Sequence, residues 1–156
     1  MIPIPKGFVV GSQNRTQDVL VVEWVPEGQS AENWTDMITM QTLYGRGDLK
    51  PFAFEKKMVS EWTINCPATK YQPIRDGVEN GYTFSFWLLS CEKNPKTGKP
   101  DFTMMKAMQG NDSFYTVQRA FKSQPAKDTV VNWSNFMSQI RVCDTRLPDR
   151  ECPKGN

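Results

Sequence analysis

The residues of this sequence that could do chemistry are four cysteines and a set of carboxylates, because the chain contains no histidine. Histidine is the commonest general base and the usual partner of a nucleophilic serine or cysteine. It is also the commonest metal ligand, and no C-x-x-C pair offers a zinc site built from cysteine. The composition therefore disfavours nucleophilic hydrolases and mixed zinc sites, and it predicts a protein with no metal or other cofactor.

Motifs for phosphate binding are missing as well. Neither G-x-G-x-x-G nor G-x-x-x-x-G-K-[ST] occurs, which disfavours nucleotide binding. Two carboxylates at the separation that glycosidases use are formally available, but sequence spacing cannot test that geometry. We therefore assign no catalytic residue, and an enzyme that uses carboxylates alone is the least favoured of the functional classes.

The four cysteines are Cys66, Cys91, Cys143 and Cys152, an even number that suits disulfides. Of the three possible pairings we favour Cys66–Cys91 with Cys143–Cys152, since the second pair would staple a polar tail to the helix before it. Disulfides persist in oxidising compartments, so we expect a periplasmic or secreted protein, the mature part of an exported precursor. Four buried free thiols in a cytosolic protein are the alternative.

Charge also limits the partners. Nineteen Lys and Arg residues against seventeen Asp and Glu leave a net charge of +2, and the longest basic block is the pair Lys56-Lys57. This pattern gives no basic stripe for nucleic acid, and no run of about 18 apolar residues predicts a membrane span. The partner we expect is another protein of the envelope, or one delivered to it.

One polar loop is our candidate contact surface for an acidic partner. It carries Lys93, Lys96 and Lys99 within a short stretch. Loops of this kind are usually no more than solvated, but they also carry binding residues more often than the core does. A second short motif, Arg46-Gly47-Asp48, spells the integrin-binding tripeptide, and we interpret it as a polar turn between a strand and a helix.

Alternation and turn residues predict the strands. A hairpin is expected from residues 8–11 and 19–25, and a third strand over 36–44. Later strands are predicted over 81–91, 101–109 and 113–121, with a fourth near 71–75 as an alternative. The strand over 81–91 has large side chains on both faces, which predicts a position in the middle of a sheet.

Two stretches have the apolar spacing of helices. In the first, from residue 51 to about residue 65, the stripe is Phe54, Met58, Val59 and Trp62. In the second, from residue 128 to about residue 142, it is Val130, Trp133, Phe136, Met137 and Ile140. The order βββα-βββα predicts an α+β domain, an antiparallel sheet flanked by two amphipathic helices, over residues 1–143. Residues 144–156 are expected to form a disulfide-anchored tail.

This order of elements, and the stretch from Val25 to Met40 (VPEGQSAENWTDMITM), resembles the PsbP-like family and its small bacterial envelope relatives such as DcrB. The resemblance implies an antiparallel sheet flanked by helices, a place in the periplasm, often with a lipid anchor, and an accessory role without catalysis. The four cysteines depart from the pattern of that family. The resemblance supplies no site residues.

We therefore expect a non-catalytic accessory or protein-interaction module of the bacterial cell envelope, which binds through a sheet edge or through the loop around residues 93–99. A special case is an immunity protein that neutralises a toxin delivered to the periplasm. The alternative function is a small-ligand or lipid carrier with a cavity between sheet and helix, because the many Met and aromatic residues could line one. The oligomeric state does not follow from the sequence.

Overall fold

The computed structural model describes residues 2–152, which form one antiparallel sheet of seven strands and two α-helices. The α+β class predicted from the sequence is confirmed. The strands are β1 Phe8–Arg15, β2 Val19–Pro26, β3 Asp36–Tyr44, β4 Lys70–Glu79, β5 Tyr82–Cys91, β6 Asp101–Gln109 and β7 Ser113–Phe121. The helices are α1 Pro51–Asn65 and α2 Lys127–Gln139, and a 3-10 turn lies at Pro148–Arg150.

The strands lie in the order β1-β2-β3-β7-β6-β5-β4. The chain thus builds two meanders, one of β1 to β3 and one of β4 to β7, in which consecutive strands pair. The meanders meet where β3 pairs with β7, from Asp36 opposite Phe121 to Tyr44 opposite Ser113. β1 and β4 form the two edges of the sheet.

The inner strands of the second meander bury both of their faces. Along β5, Trp87 and Leu89 are fully buried, and the alternating Phe86 and Leu88 are buried too. Successive side chains of a strand point to opposite faces, so each face needs its own covering layer.

Helix α1 covers the face that carries Trp87 and Leu89. The predicted stripe of Phe54, Met58, Val59 and Trp62 packs on it. Pro51 occupies the first turn, where its missing N–H leaves no hydrogen bond unmade. The helix predicted from residue 51 to about residue 65 is therefore observed.

Helix α2 covers the opposite face. Its side chains pack on a cluster with members from β3, β5, β6 and β7, and they are Val130, Trp133, Phe136 and Met137. The helix ends at Gln139, before the predicted end near residue 142, because the backbone turns extended at Ile140. The N–H of Ile140 still donates to the carbonyl of Met137.

The predicted order βββα-βββα lacked one strand, since four strands lie between α1 and α2, and the alternative of a fourth strand near residues 71–75 is the one observed. The additional strand, β4, is ten residues long, and nine of them are exposed. It also contains Pro73 and Gly77, so it lacks the apolar alternation by which strands are recognised. The expected central position of β5 was also wrong, since β5 lies next to the edge strand β4. Both faces of β5 are buried because helices lie over both faces at this side of the sheet.

The two disulfides are Cys66–Cys91 and Cys143–Cys152, the pairing that we favoured from the spacing. The first joins the end of α1 to the end of β5, and both of its cysteines are buried. The second joins the segment after α2 to the chain beyond the 3-10 turn. The boundary between a domain of residues 1–143 and a tail stays a prediction, and residues 153–156 of that tail lie outside the described residues.

Removal of either disulfide is expected to destabilise the protein, and removal of Cys66–Cys91 to do so more. The chain-entropy account gives about 3.5 kcal/mol for the separation of 25 residues and about 2.6 kcal/mol for that of 9. The free energies of unfolding should be measured in urea, without reductant, for Cys66→Ser/Cys91→Ser and for Cys143→Ser/Cys152→Ser. A larger loss in the second variant would contradict this order.

Candidate interaction surface

Lys106 on β6 is a charged residue with a fully buried side chain. Its Nζ donates to Oε2 of Glu79 and to the carbonyl of Ile140, each at 2.7 Å. Burial lowers the pKa of Lys106, and the carboxylate of Glu79 opposes this shift. The ammonium group thus binds a carbonyl at the end of α2, where a helix dipole favours a cation. Because Lys106 contacts protein groups and is closed off from solvent, we assign it a structural role.

Arg119 on β7 is a second buried cation, on the same face of the sheet. Its guanidinium lies among the rings of Phe8, Phe121 and Trp133, with Cζ 3.8 Å from the ring centroid of Trp133. It forms an ion pair with Asp36 on β3. Burial lowers the pKa of Arg119 to about 10, against the opposing charge of Asp36, so the group stays protonated at neutral pH. Arg119 therefore ties β7 to β1, β3 and α2.

A buried carboxylate on α1, Glu55, accepts a hydrogen bond from the hydroxyl of Tyr71 on β4, with an O–O distance of 2.7 Å. Burial of the hydroxyl, followed by its hydrogen bond to Glu55 and the negative charge of that residue, raises the pKa of Tyr71 to about 12. The contact fixes the first half of β4 against α1.

The edge strand β4 exposes large apolar side chains. Tyr71 is 42% exposed, Ile74 37% and Val78 65%. Proteins usually blunt exposed apolar edges, and an apolar patch that remains exposed is typical of an interaction site. We call these three residues the β4 edge.

The backbone of β4 limits how a partner could bind there. Pro73 has no N–H to donate, and the register with β5 shifts between Pro73 and Arg75. Such an irregularity bends an edge and interrupts its row of hydrogen-bonding groups. A partner could therefore contact the side chains of the β4 edge over a longer stretch than it could hydrogen-bond to the backbone of β4.

The loop at residues 92–100 joins β5 to β6 and lies beside the start of β4. Its first residue, Glu92, forms an ion pair with Lys70, the first residue of β4. The three predicted contact lysines, Lys93, Lys96 and Lys99, are all on this loop and exposed. We call residues 92–100 the lysine loop; its part in binding stays a prediction. The positively charged lysine loop and the apolar β4 edge therefore lie at the same edge of the sheet.

A sheet edge was expected to bind and a strand near residues 71–75 was an alternative, but the exposed side chains of the β4 edge and the buried Lys106 were not predicted from the sequence. The β4 edge has Pro and Gly among its neighbours and shows no alternation, although a proline inside a short β-rich run is itself typical of an edge strand. Lys106 stands alone in the run Met104-Met-Lys-Ala-Met108 of a predicted strand. A single charge in such a run is a signal of a buried ion pair.

The tripeptide Arg46-Gly47-Asp48 forms part of the loop between β3 and α1. Nε of Arg46 donates to Oδ1 of Asp48 at 3.1 Å, so the two charged side chains bind each other. A Cβ atom at Gly47 would lie 2.1 Å from the carbonyl oxygen of Asn111. Close packing of two loops therefore explains the glycine.

Within residues 2–152, no three His, Cys, Asp or Glu side chains are placed together so that they could hold a metal ion. The helices of this part of the chain are also too short or too polar to cross a bilayer.

Comparisons with known proteins add little to these observations. Neither the models of protein families nor the curated proteins include a match to this chain. Among solved structures, a mutant of the protein Mog1 is similar at 15% identity, over 85% of this chain and 76% of that chain, with a TM-score of 0.47. A likeness this distant carries no argument about family or function.

Substitution Lys106→Met is expected to lower the free energy of unfolding by about 3 kcal/mol, because it leaves the carbonyl of Ile140 without its donor and takes a partner from the largely buried carboxylate of Glu79, which is 10% exposed. The matched control is Lys99→Met on the exposed lysine loop, expected to change stability by less than about 0.5 kcal/mol. Chemical denaturation at pH 7 measures both. Equal stability of the two variants would contradict the structural role of Lys106.

Substitution Gly47→Ala is expected to destabilise the protein by roughly 1–3 kcal/mol, since the added methyl group would overlap the backbone of Asn111. Arg46→Ala and Asp48→Ala, which remove an exposed ion pair, should each cost less than about 1 kcal/mol. Thermal unfolding of the three variants checks the order. If the alanine at residue 47 were tolerated as well as the other two, the packing explanation would be wrong.

Proposed function

We propose that this chain is a non-catalytic protein-interaction module of the bacterial cell envelope, and that it binds its partner through the β4 edge with the lysine loop beside it. The observation that carries the proposal is the exposure of β4, which presents Tyr71, Ile74 and Val78 on a strand with nine of ten residues exposed. Apolar side chains at the centre of a patch and charges at its rim are the usual anatomy of a protein interface.

The positive charge of the lysine loop indicates the charge of the partner's surface. Lys93, Lys96 and Lys99 are exposed on this loop, and the only carboxylate of the loop, Glu92, already pairs with Lys70. The proposed partner therefore has an apolar centre and an acidic rim. Charges at a rim act mainly on the rate of association and on the choice of partner, whereas the apolar centre supplies most of the affinity.

Two observations support an oxidising compartment. Cys66–Cys91 and Cys143–Cys152 are both formed, and disulfides persist outside the cytosol. The resemblance of residues 25–40 to PsbP-like envelope proteins favours the periplasm in particular. In the structure this stretch forms the end of β2, the next loop and the first half of β3, far along the sheet from β4.

The special case of an immunity protein fits the same surface. A protein toxin delivered to the periplasm would then be the partner, bound one to one through the β4 edge. Cells that lack this chain would die only when that toxin is present.

The proposal predicts that a double substitution on β4 abolishes partner binding. The oxidised protein serves as bait in an envelope extract of its native host, beside Ile74→Lys/Val78→Lys and the matched variant Val9→Lys/Val10→Lys on the other edge, β1. Val9 and Val10 are 41% and 56% exposed, so the two pairs test similar surfaces. We expect a single stoichiometric partner for the wild type and the β1 variant, and at least tenfold less of it for the β4 variant.

Circular dichroism must first show that both variants fold. A partner captured equally by the β4 variant would overturn the assignment of the surface, and the absence of any stoichiometric partner would overturn the proposed function. A charge-reversed lysine loop, with Lys93, Lys96 and Lys99 each changed to Glu, should weaken the binding most at low salt, because exposed charges are screened as ionic strength rises.

A further inference from the structure

A cavity of about 290 Å³ lies on the α2 face of the sheet, beside the end of that helix. Side chains of three strands form its floor, and the segment after α2 forms its roof together with the Cys143–Cys152 disulfide. The floor residues are Met40, Thr42, Met108, Tyr115 and Val117. The floor does not reach the β4 edge, since its nearest strand, β6, is separated from β4 by β5.

The cavity exists because α2 ends before it has covered this end of the sheet. The backbone of Ile140 is extended, with ψ at 123°, so residues 140–143 cross the sheet as a single extended segment. The disulfide to Cys152 holds that segment in place. An extended segment fills less space than a helix, and Met40 below it remains only half-buried.

The lining is apolar and carries one charge. Among the described residues that line the cavity, Arg141 is the only ionisable side chain with a charge at neutral pH, and it is exposed. None of the ion pairs within residues 2–152 involves Arg141. The site therefore combines a partly open apolar cavity with a cation beside it that forms no ion pair among the described residues.

We infer that this cavity binds an aliphatic carboxylate of medium chain length, with the chain between sheet and roof and the carboxylate at Arg141. A dry apolar cavity of about 150 Å³ holds benzene, so this cavity suits a chain of roughly eight to ten carbon atoms. Met40 and Met108 are flexible and polarisable, and such side chains adapt to a chain without fixed shape. The lack of a carboxylate in the described lining disfavours an amine of the same length.

Decanoate is the probe for this site, with decanol and decylamine as controls of equal chain length. Titration calorimetry below the micelle concentration of each compound should give one saturable decanoate site per chain. Decanol should bind about tenfold more weakly, and decylamine more weakly still. Arg141→Gln, an exposed substitution that does not threaten folding, should weaken decanoate about tenfold and leave decanol unchanged.

Val117→Phe should fill the floor and remove binding of both decanoate and decanol. If that variant does not fold, Arg141→Gln and the comparison of decanoate with decanol and decylamine still test the inference. Absence of saturable decanoate binding would overturn the inference, as would decylamine that binds as tightly or decanoate affinity unchanged in Arg141→Gln. Ile74→Lys/Val78→Lys should keep full decanoate affinity, so a failure of the β4 proposal and a failure of this one can be told apart.

Discussion

The burial of both faces of the inner strands is the constraint on which the rest of this fold depends. Trp87 and Leu89 point to one side of β5, and Phe86 and Leu88 point to the other, so two separate layers must cover the sheet. The chain supplies one layer between its two meanders, as α1, and the other after its last strand, as α2. Two helices cannot cover seven strands. The open edge at β4 and the cavity beyond the end of α2 both lie where this cover is incomplete.

Two buried cations fix the second layer. Lys106 binds Glu79 on β4 and a carbonyl at the end of α2, whereas Arg119 holds Asp36 on β3 and lies against Trp133 on α2. Buried charges of this kind seldom add much stability compared with apolar side chains, because their desolvation costs several kcal/mol. They do fix where groups can lie, since each cation needs its partner in one place. The end of α2, and with it the position of the cavity roof, follows from that requirement.

Much of the fold could be predicted from local patterns. The apolar stripes of α1 and α2 marked both helices, and the limits of β3, β6 and β7 agree with the alternation of their side chains. β4 was foreseen only as an alternative strand near residues 71–75, because nine of its ten residues are exposed and Pro73 and Gly77 interrupt its pattern, so no alternation of apolar and polar side chains marks its length. A cavity between sheet and helix was part of the alternative function, but its position could not be foreseen, since it depends on where the backbone after Gln139 leaves the helix. That point is set by contacts with Lys106, more than thirty residues earlier in the chain.

β3 cannot pair with β7 until most of the chain has been synthesised. The first meander emerges early, but the partner of β3 is made roughly 70 residues later, which takes several seconds at ordinary rates of synthesis. Until then β3 is an open, largely apolar edge, and every contact across it is distant in sequence and slow to form. The chain therefore passes its most aggregation-prone stage before β7 is available.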